Sequence, residues 1–168
     1  PCVLWIDEIE KGLAGGGDDG GVSRRVLGYL LTWMAERKAK VFVVATANAV
    51  HELPAELLRK GRFDEIFFVD LPREAVRGEI FAMHLARRKL DPAGFDLPAL
   101  ATASDGFSGA EIEQTIVSSL YDAAGNGTPP DQATLLNALK QTRPLSVLMR
   151  EQVEALRAWA QGRCVAAD

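Results

Sequence analysis

Five residues within the first 62 have types and spacing suited to phosphoryl-transfer chemistry. The run Cys2-Val3-Leu4-Trp5-Ile6 is continuously apolar and ends in Asp7-Glu8. Such a run reads as a parallel strand buried on both faces. Its acidic end delivers two carboxylates to the sheet's carboxyl edge, where open α/β sheets bind ligands. There Asp7 would hold Mg²⁺ through water, and Glu8 would orient and polarise an attacking water. A second apolar run, Val41 to Thr46, leads into Ala47-Asn48 and sets a neutral amide at the adjacent strand end. An amide there can sense a γ-phosphate or hold the water without changing the charge balance. Further on, Leu57-Leu58-Arg59-Lys60-Gly61-Arg62-Phe63-Asp64 puts Arg59 and Arg62 on one tight turn. Arginine stabilises the charge spread over a transferring phosphoryl group, and a finger supplied across a subunit boundary is worth about 10³ to 10⁵ in rate. Each feature also has an ordinary explanation: an acidic turn and cap, an Asn-favoured turn, a solvated basic surface.

The elements that must position these groups follow from hydrophobic patterning. A third apolar run at Ile66–Val69 predicts a third strand. Between the first two, Val22, Val26, Leu27, Leu30, Leu31 and Met34 recur at helical spacing, and Arg37 and Lys38 suit the helix's C-terminal end. A short helix is expected near Ala55–Leu58. Strand, helix, strand, helix, strand is the alternation of an α/β parallel sheet, though three strands make only part of one.

After Pro72 the pattern turns helical, with no convincing strand. One helix spans about Glu74–Lys89 with Val76, Ile80 and Met83 inward, and Asp96 can cap another through Ala103. Ser108-Gly109-Ala110-Glu111 has the spacing of a capping box and opens a helix carrying Ile112, Ile116 and Leu120, which ends at Gly125-Asn126-Gly127. Two more are expected near Asp131–Lys140 and Val147–Gln161. The stretch Gly12–Gly21 reads as a mobile glycine-rich loop, and no internal repeat is present.

The order VLWIDEIEK, SRRVLGYLLTWM, VVATAN, ELLRKGRFDEIFFVDLP resembles the second half of the ATPase domain of AAA proteins. Arg77-x-x-Ile80-x-x-x-His84 and Gly106-Phe107-Ser108-Gly109-Ala110-Glu111 resemble that family's lid signatures, so the likeness covers about residues 1–140. Pro144-Leu145-Ser146 and Leu156-Arg157-Ala158-Trp159 look like a branch found in some plastid genomes and many bacteria. The resemblance implies a partial parallel-sheet P-loop NTPase core over 1–72, lacking its first strands and P-loop. An all-helical lid over 73–142 and a tail over 143–168 would follow. It implies that Asp7 and Glu8 are the Walker B pair, Asn48 is sensor 1, and Arg59 and Arg62 are fingers acting on a neighbour's ATP. His84, Gly109 and Ala110 would lie near ribose and adenine, and Arg24 and Arg25 near the adjacent protomer; Gly12–Gly21 stands in the place of a second pore loop. Glu111 is assigned to capping. The implied protein is a Mg²⁺- and ATP-dependent ring, a hexamer of one chain, remodelling a protein substrate in the cytoplasm, or in the plastid stroma for a plastid-type member.

Departures from the family pattern qualify this. None of the six lysines is preceded by glycine or followed by serine or threonine, so no G-x-x-x-x-G-K-[ST] phosphate loop is present. The aromatic pore loop upstream of Walker B is absent too, and Glu65 stands where many relatives carry a basic residue. The chain opens at Pro1 inside an apolar run, with its first methionine at Met34, and reads as the downstream part of a longer polypeptide that alone would not hydrolyse ATP. A truncated module that only docks to other subunits is the alternative, and a DNA-linked or clamp-loader-like NTPase the third reading.

Composition bounds these readings. With 168 residues, 48% hydrophobic and 25% charged, the chain can bury a core without staples. Cys2 and Cys164, at opposite ends, suggest neither a disulfide framework nor a zinc site. No apolar run approaches the roughly 20 residues of a membrane span. A net charge of −4 argues against coating nucleic acid.

Overall fold

A computed structural model describes residues 1–13, 20–59, 61–125 and 127–167, with only the backbone of Arg24. The chain divides into two compact units, Pro1–Phe67 and Phe68–Asp168.

In the first unit, strands β1 (Cys2–Ile6) and β2 (Val41–Ala45) pair in parallel, from Cys2 opposite Val41 to Ile6 opposite Ala45. Helices α1 (Ile9–Leu13) and α2 (Gly20–Glu36) lie between them in sequence. Ile9, Leu13, Met34 and Leu57 form the buried core, with Ile6, Leu30, Leu31, Ala45 and Phe63 packed against it. Among the described residues the sheet is covered on one side, where Ile6 and Ala45 meet the core and Leu4 stays 37% exposed. Val3 (67% exposed), Trp5 (63%) and Phe42 (70%) line the other, so the expectation that β1 is buried on both faces fails among the described residues. Val3 and Trp5 share a face because side chains alternate along a strand. The expected helix at Ala55–Leu58 is a turn, and the helical turn falls earlier, as a 3₁₀ segment at Val50–Glu52 ahead of Pro54. The expected Gly12–Gly21 loop is helical at both ends, in α1 and α2; residues 14–19 lie outside the described residues.

The third apolar run does not extend this sheet. Only Phe67–Phe68 is extended (β3), and the Phe68 carbonyl accepts from Ala167 N–H (3.1 Å) beside β4 (Val165–Ala166). The strand is too short to build a longer ladder, and β4 corrects the expectation that nothing after Pro72 is extended.

The second unit packs α3 (Glu74–Arg87), α4 (Leu97–Ala103), α5 (Gly109–Gly125) and α6 (Gln132–Gln141) around Phe81, Leu85, Leu100, Ile112, Ile116 and Leu135, all fully buried. The inward stripe of α3 is Arg77, Phe81, His84 and Leu85. Val76 (37% exposed) and Met83 (44%), expected inward, face out, while Ile80 is partly buried. The helix is rotated because Arg77 is satisfied inside: Nε donates to Ala101 O (3.0 Å), Nη1 to Pro72 O (2.9 Å), and Nη2 pairs with Asp105 (3.2 Å). A buried guanidinium is tolerated when its donors are so occupied.

Asp96 and Asp131 cap α4 and α6 by accepting from Ala99 and Thr134 N–H. At α5 the capping box is complete: Ser108 N–H donates to Glu111 Oε2 (2.8 Å) and Glu111 N–H to Ser108 Oγ (3.3 Å). The expected single tail helix is two, α7 (Leu145–Leu148) and α8 (Arg150–Ala160), broken at Met149. Glu111 Oε1 accepts from Leu145 N–H (2.6 Å), and Ser146 Oγ donates to Gly106 O (2.6 Å). Gly106 has φ +76°, and a Cβ there would stand 2.7 Å from Ser146 Oγ, so both backbone and space require glycine. Arg157 of α8 forks onto both carboxylate oxygens of Asp70 (2.8–3.0 Å).

Burial raises the Glu111 pKa, but the N–H groups of Ser108 and Leu145 and the Ser108 hydroxyl outweigh it and hold the carboxyl below its ordinary 4.5. A depressed folded value contributes stability above pH 4.5 that is lost as pH falls through the folded value. Glu111→Gln is therefore expected to destabilise the helical unit at neutral pH by about 0.5–2 kcal/mol, the worth of a cap, and to flatten its acid limb. Urea titrations from pH 7 to pH 3, followed by far-UV circular dichroism, measure both.

Candidate functional site

The parallel pairing of β1 with β2 continues one step past the strands: Thr46 N–H donates to Ile6 O (2.9 Å), and Ile9 N–H returns to Thr46 O (2.9 Å). This brings Asp7-Glu8 against Thr46 and Asn48 although 38 to 41 positions separate them in sequence. Glu8 takes φ +47°, a left-handed conformation uncommon for a side chain of this kind. Its N–H donates to Thr46 Oγ1 (2.9 Å) instead of to a strand carbonyl, and Thr46 Oγ1 in turn donates to Asp7 Oδ1 (2.5 Å). Asn48 Nδ2 donates to Glu8 Oε1 (3.1 Å), while Lys11 Nζ pairs with Glu8 Oε2 (2.6 Å). The Glu8 contact raises the Lys11 pKa.

Asn48 is itself fixed from below by Glu10, which is 2% exposed. Glu10 Oε1 accepts from Asn48 N–H (2.9 Å) and Ala49 N–H (3.4 Å), and Oε2 is buried without a partner among the described residues. Burial pushes the carboxyl up, but the Asn48 and Ala49 N–H groups and Glu10's own N–H hold it below its usual value, aided by Lys11.

Asp7 is exposed, and its Oδ2 accepts no hydrogen bond from the described residues. No group of three His, Cys, Asp or Glu among the described residues could hold a metal alone. One outward carboxylate fits Mg²⁺, which keeps most of its waters and takes one or two carboxylates plus phosphate oxygens. Asp7 would be the residue that holds it.

The two arginines differ. Arg59 is exposed on its turn, whereas Arg62 is half-buried and donates through Nη1 to Leu31 O of α2 (2.7 Å). The sequence reading has both reaching outward; the structure turns Arg62 back onto its own unit. Gly61 between them is exposed, with φ +92°. Arg25 is exposed and bonds Gly21 O (3.2 Å), and the Arg24 side chain lies outside the described residues. His84 is buried in the helical unit, its Nδ1 3.4 Å from both Glu113 Oε1 and Arg88 Nη1; Arg88 Nη2 pairs with Glu113 at 2.8 Å. Gly109 and Ala110 open α5, and a Cβ at Gly109 would make only ordinary contact with Ile80 (3.7 Å).

Sequence reading missed Thr46, Glu10 and Lys11. Thr46 left one faint signal, a hydroxyl at the end of an apolar run two residues before Asn48. Glu10 left none, since an acid in a helix's first turn ordinarily faces water.

The strand pair thus carries two acids at one carboxyl end and a neutral amide at the other, at the edge where open α/β sheets bind ligands. Residues 1–71 match the family model described as the ATPase family associated with various cellular activities (AAA), and over that stretch the chain is similar to AAA proteins. Over 95% of its length it is 48% identical to the "Uncharacterized AAA domain-containing protein ycf46" of Pyropia yezoensis and 44% identical to the protein of that name from Guillardia theta. It spans about a third of those relatives' length, 33% and 32%.

Glu10→Ala is expected to leave the Asn48 and Ala49 N–H groups without their acceptor, costing about 1–3 kcal/mol. Glu10's depressed pKa adds a sign: its contribution is present above pH 4.5 and lost as pH falls through the folded value. Amide hydrogen exchange at Asn48 measures this and should quicken in the variant.

Proposed function

We propose that this chain is the Walker B-to-lid part of an AAA ATPase that binds and hydrolyses Mg²⁺-ATP and remodels a protein or complex as a ring, a hexamer of one chain. The observation that carries the reading is the 3.1 Å contact from Asn48 Nδ2 to Glu8 Oε1 at the carboxyl end of β1–β2. It joins a would-be general base to a neutral donor able to hold the same water or a γ-phosphate oxygen. In this reading Glu8 polarises the attacking water, Asp7 holds Mg²⁺ through water, and Asn48 orients the γ-phosphate. When bound, Mg²⁺ supplies the charge neutralisation that phosphoryl transfer needs.

Arg59 is the stronger finger candidate, since its side chain lies open while Arg62 is engaged with Leu31 O. Arg62 then sets the turn that presents Arg59. His84, Gly109 and Ala110 serve the ribose and adenine side. The phosphate-cradling loop missing from this sequence is supplied by a longer polypeptide, a reading supported by relatives about three times as long and by the uncovered sheet face at Val3, Trp5 and Phe42. Such a protein works in a soluble compartment, the stroma for a plastid-encoded member. No helix among the described residues is long and apolar enough to cross a membrane.

In the full-length protein, Glu8→Gln is expected to retain ATP without turning it over. Arg59→Ala should cut turnover by about 10³-fold or more in assembled rings, with a smaller loss for Arg62→Ala. Mixing Glu8→Gln with Arg59→Ala subunits tests action across the boundary. The 168-residue chain alone should show no turnover. Wild-type rates in full-length Glu8→Gln would overturn the reading.

A further inference from the structure

We infer that Thr46 is a positioning residue for the acid pair: its single hydroxyl sets the Glu8 backbone and the Asp7 carboxylate together. The inference rests on the ATPase reading above for its catalytic consequence, but not for its geometry.

The Thr46 carbonyl is taken by Ile9 N–H, so Glu8 N–H has no carbonyl partner in the ladder. Thr46 Oγ1 is the acceptor it finds, at 2.9 Å. A hydroxyl can accept and donate at once, and the proton of this one goes to Asp7 Oδ1 at 2.5 Å. Taking up Oδ1 leaves Oδ2 as the oxygen free of hydrogen bonds from described residues, which fixes the direction in which Asp7 can offer itself to a hydrated cation. Thr46 and Asn48 are two positions apart, and each hands a neutral donor to one acid, Thr46 to Asp7 and Asn48 to Glu8. Neutrality matters, since a lysine or arginine at position 46 would cancel the charge that a divalent cation needs. The Thr46 backbone is tied to Ile6 O and Ile9 N on either side of the pair, so the hydroxyl has little freedom to follow a displaced carboxylate.

Two variants separate the hydroxyl from its shape: Thr46→Val keeps the β-branched volume and removes the oxygen, and Thr46→Ser keeps the oxygen. The first readout needs no nucleotide. Amide hydrogen exchange at Glu8 in the full-length protein should quicken about tenfold in Thr46→Val, the worth of one hydrogen bond, and stay near wild type in Thr46→Ser. The second readout is the Mg²⁺ concentration giving half-maximal ATP turnover, which should rise several-fold in Thr46→Val and recover in Thr46→Ser. A role in packing alone would move neither the Mg²⁺ requirement nor the Val–Ser difference. Unchanged Glu8 exchange in Thr46→Val overturns the inference. So does an unchanged Mg²⁺ requirement in an active protein, or identical behaviour of the two variants. Absence of turnover in the wild-type full-length protein would instead sink the ATPase reading, with Glu8 exchange still deciding for or against Thr46.

Discussion

The register of two parallel strands governs the rest. Ile6 opposite Ala45 brings Thr46 beside the step from Asp7 to Glu8, and one further bond, Ile9 N–H to Thr46 O, starts α1 where it must start. Slipping the pairing by one residue would turn every side chain to the opposite face. Asp7 would lose the Thr46 hydroxyl, and Glu8 would lose Asn48. The core beneath α1 and α2 resists that slip, since Ile6 and Ala45 are packed among Ile9, Leu13 and Met34.

Polar groups hold the site from both sides. Above, Asp7 meets the Thr46 hydroxyl and Glu8 meets the Asn48 amide and the Lys11 ammonium; below, the buried Glu10 carboxylate captures the two N–H groups that follow the strand end. Backbone donors lost from a sheet as it ends are costly to bury unpaired, so Glu10 answers a structural need and aims Asn48 in the same act. The helical unit uses a similar device. Arg77 and His84 lie inside because neighbouring carbonyls and carboxylates satisfy them.

Much of this was legible beforehand, and the failures share a cause. Continuous apolar runs marked β1 and β2, the box at Ser108–Glu111 marked α5, and the acid pair, the amide and the two arginines stood out by type and spacing. Hydrophobic periodicity could not place Arg77 and His84 inward, because it counts such residues as outward; it therefore rotated α3 toward Val76 and Met83. Nor could it see Thr46 or Glu10, whose partners depend on a register spanning some 38 residues. The third strand failed for a related reason: Ile66–Val69 looks like a strand, but a strand exists only where it finds a neighbour, and Phe68 finds one at Ala167. Arg62 shows the reverse, a residue that spacing aims outward and one carbonyl turns back.

The fork of Arg157 on Asp70, with Phe68 O and Ala167 N–H beside it, fastens the last stretch of chain to the first residues of the helical unit. The unit is thereby stapled into a loop, entrance to exit. Tension drawn between residue 68 and the C-terminal end would therefore meet the Phe68–Ala167 backbone bond and the Arg157–Asp70 ion pair before it reached the apolar interior.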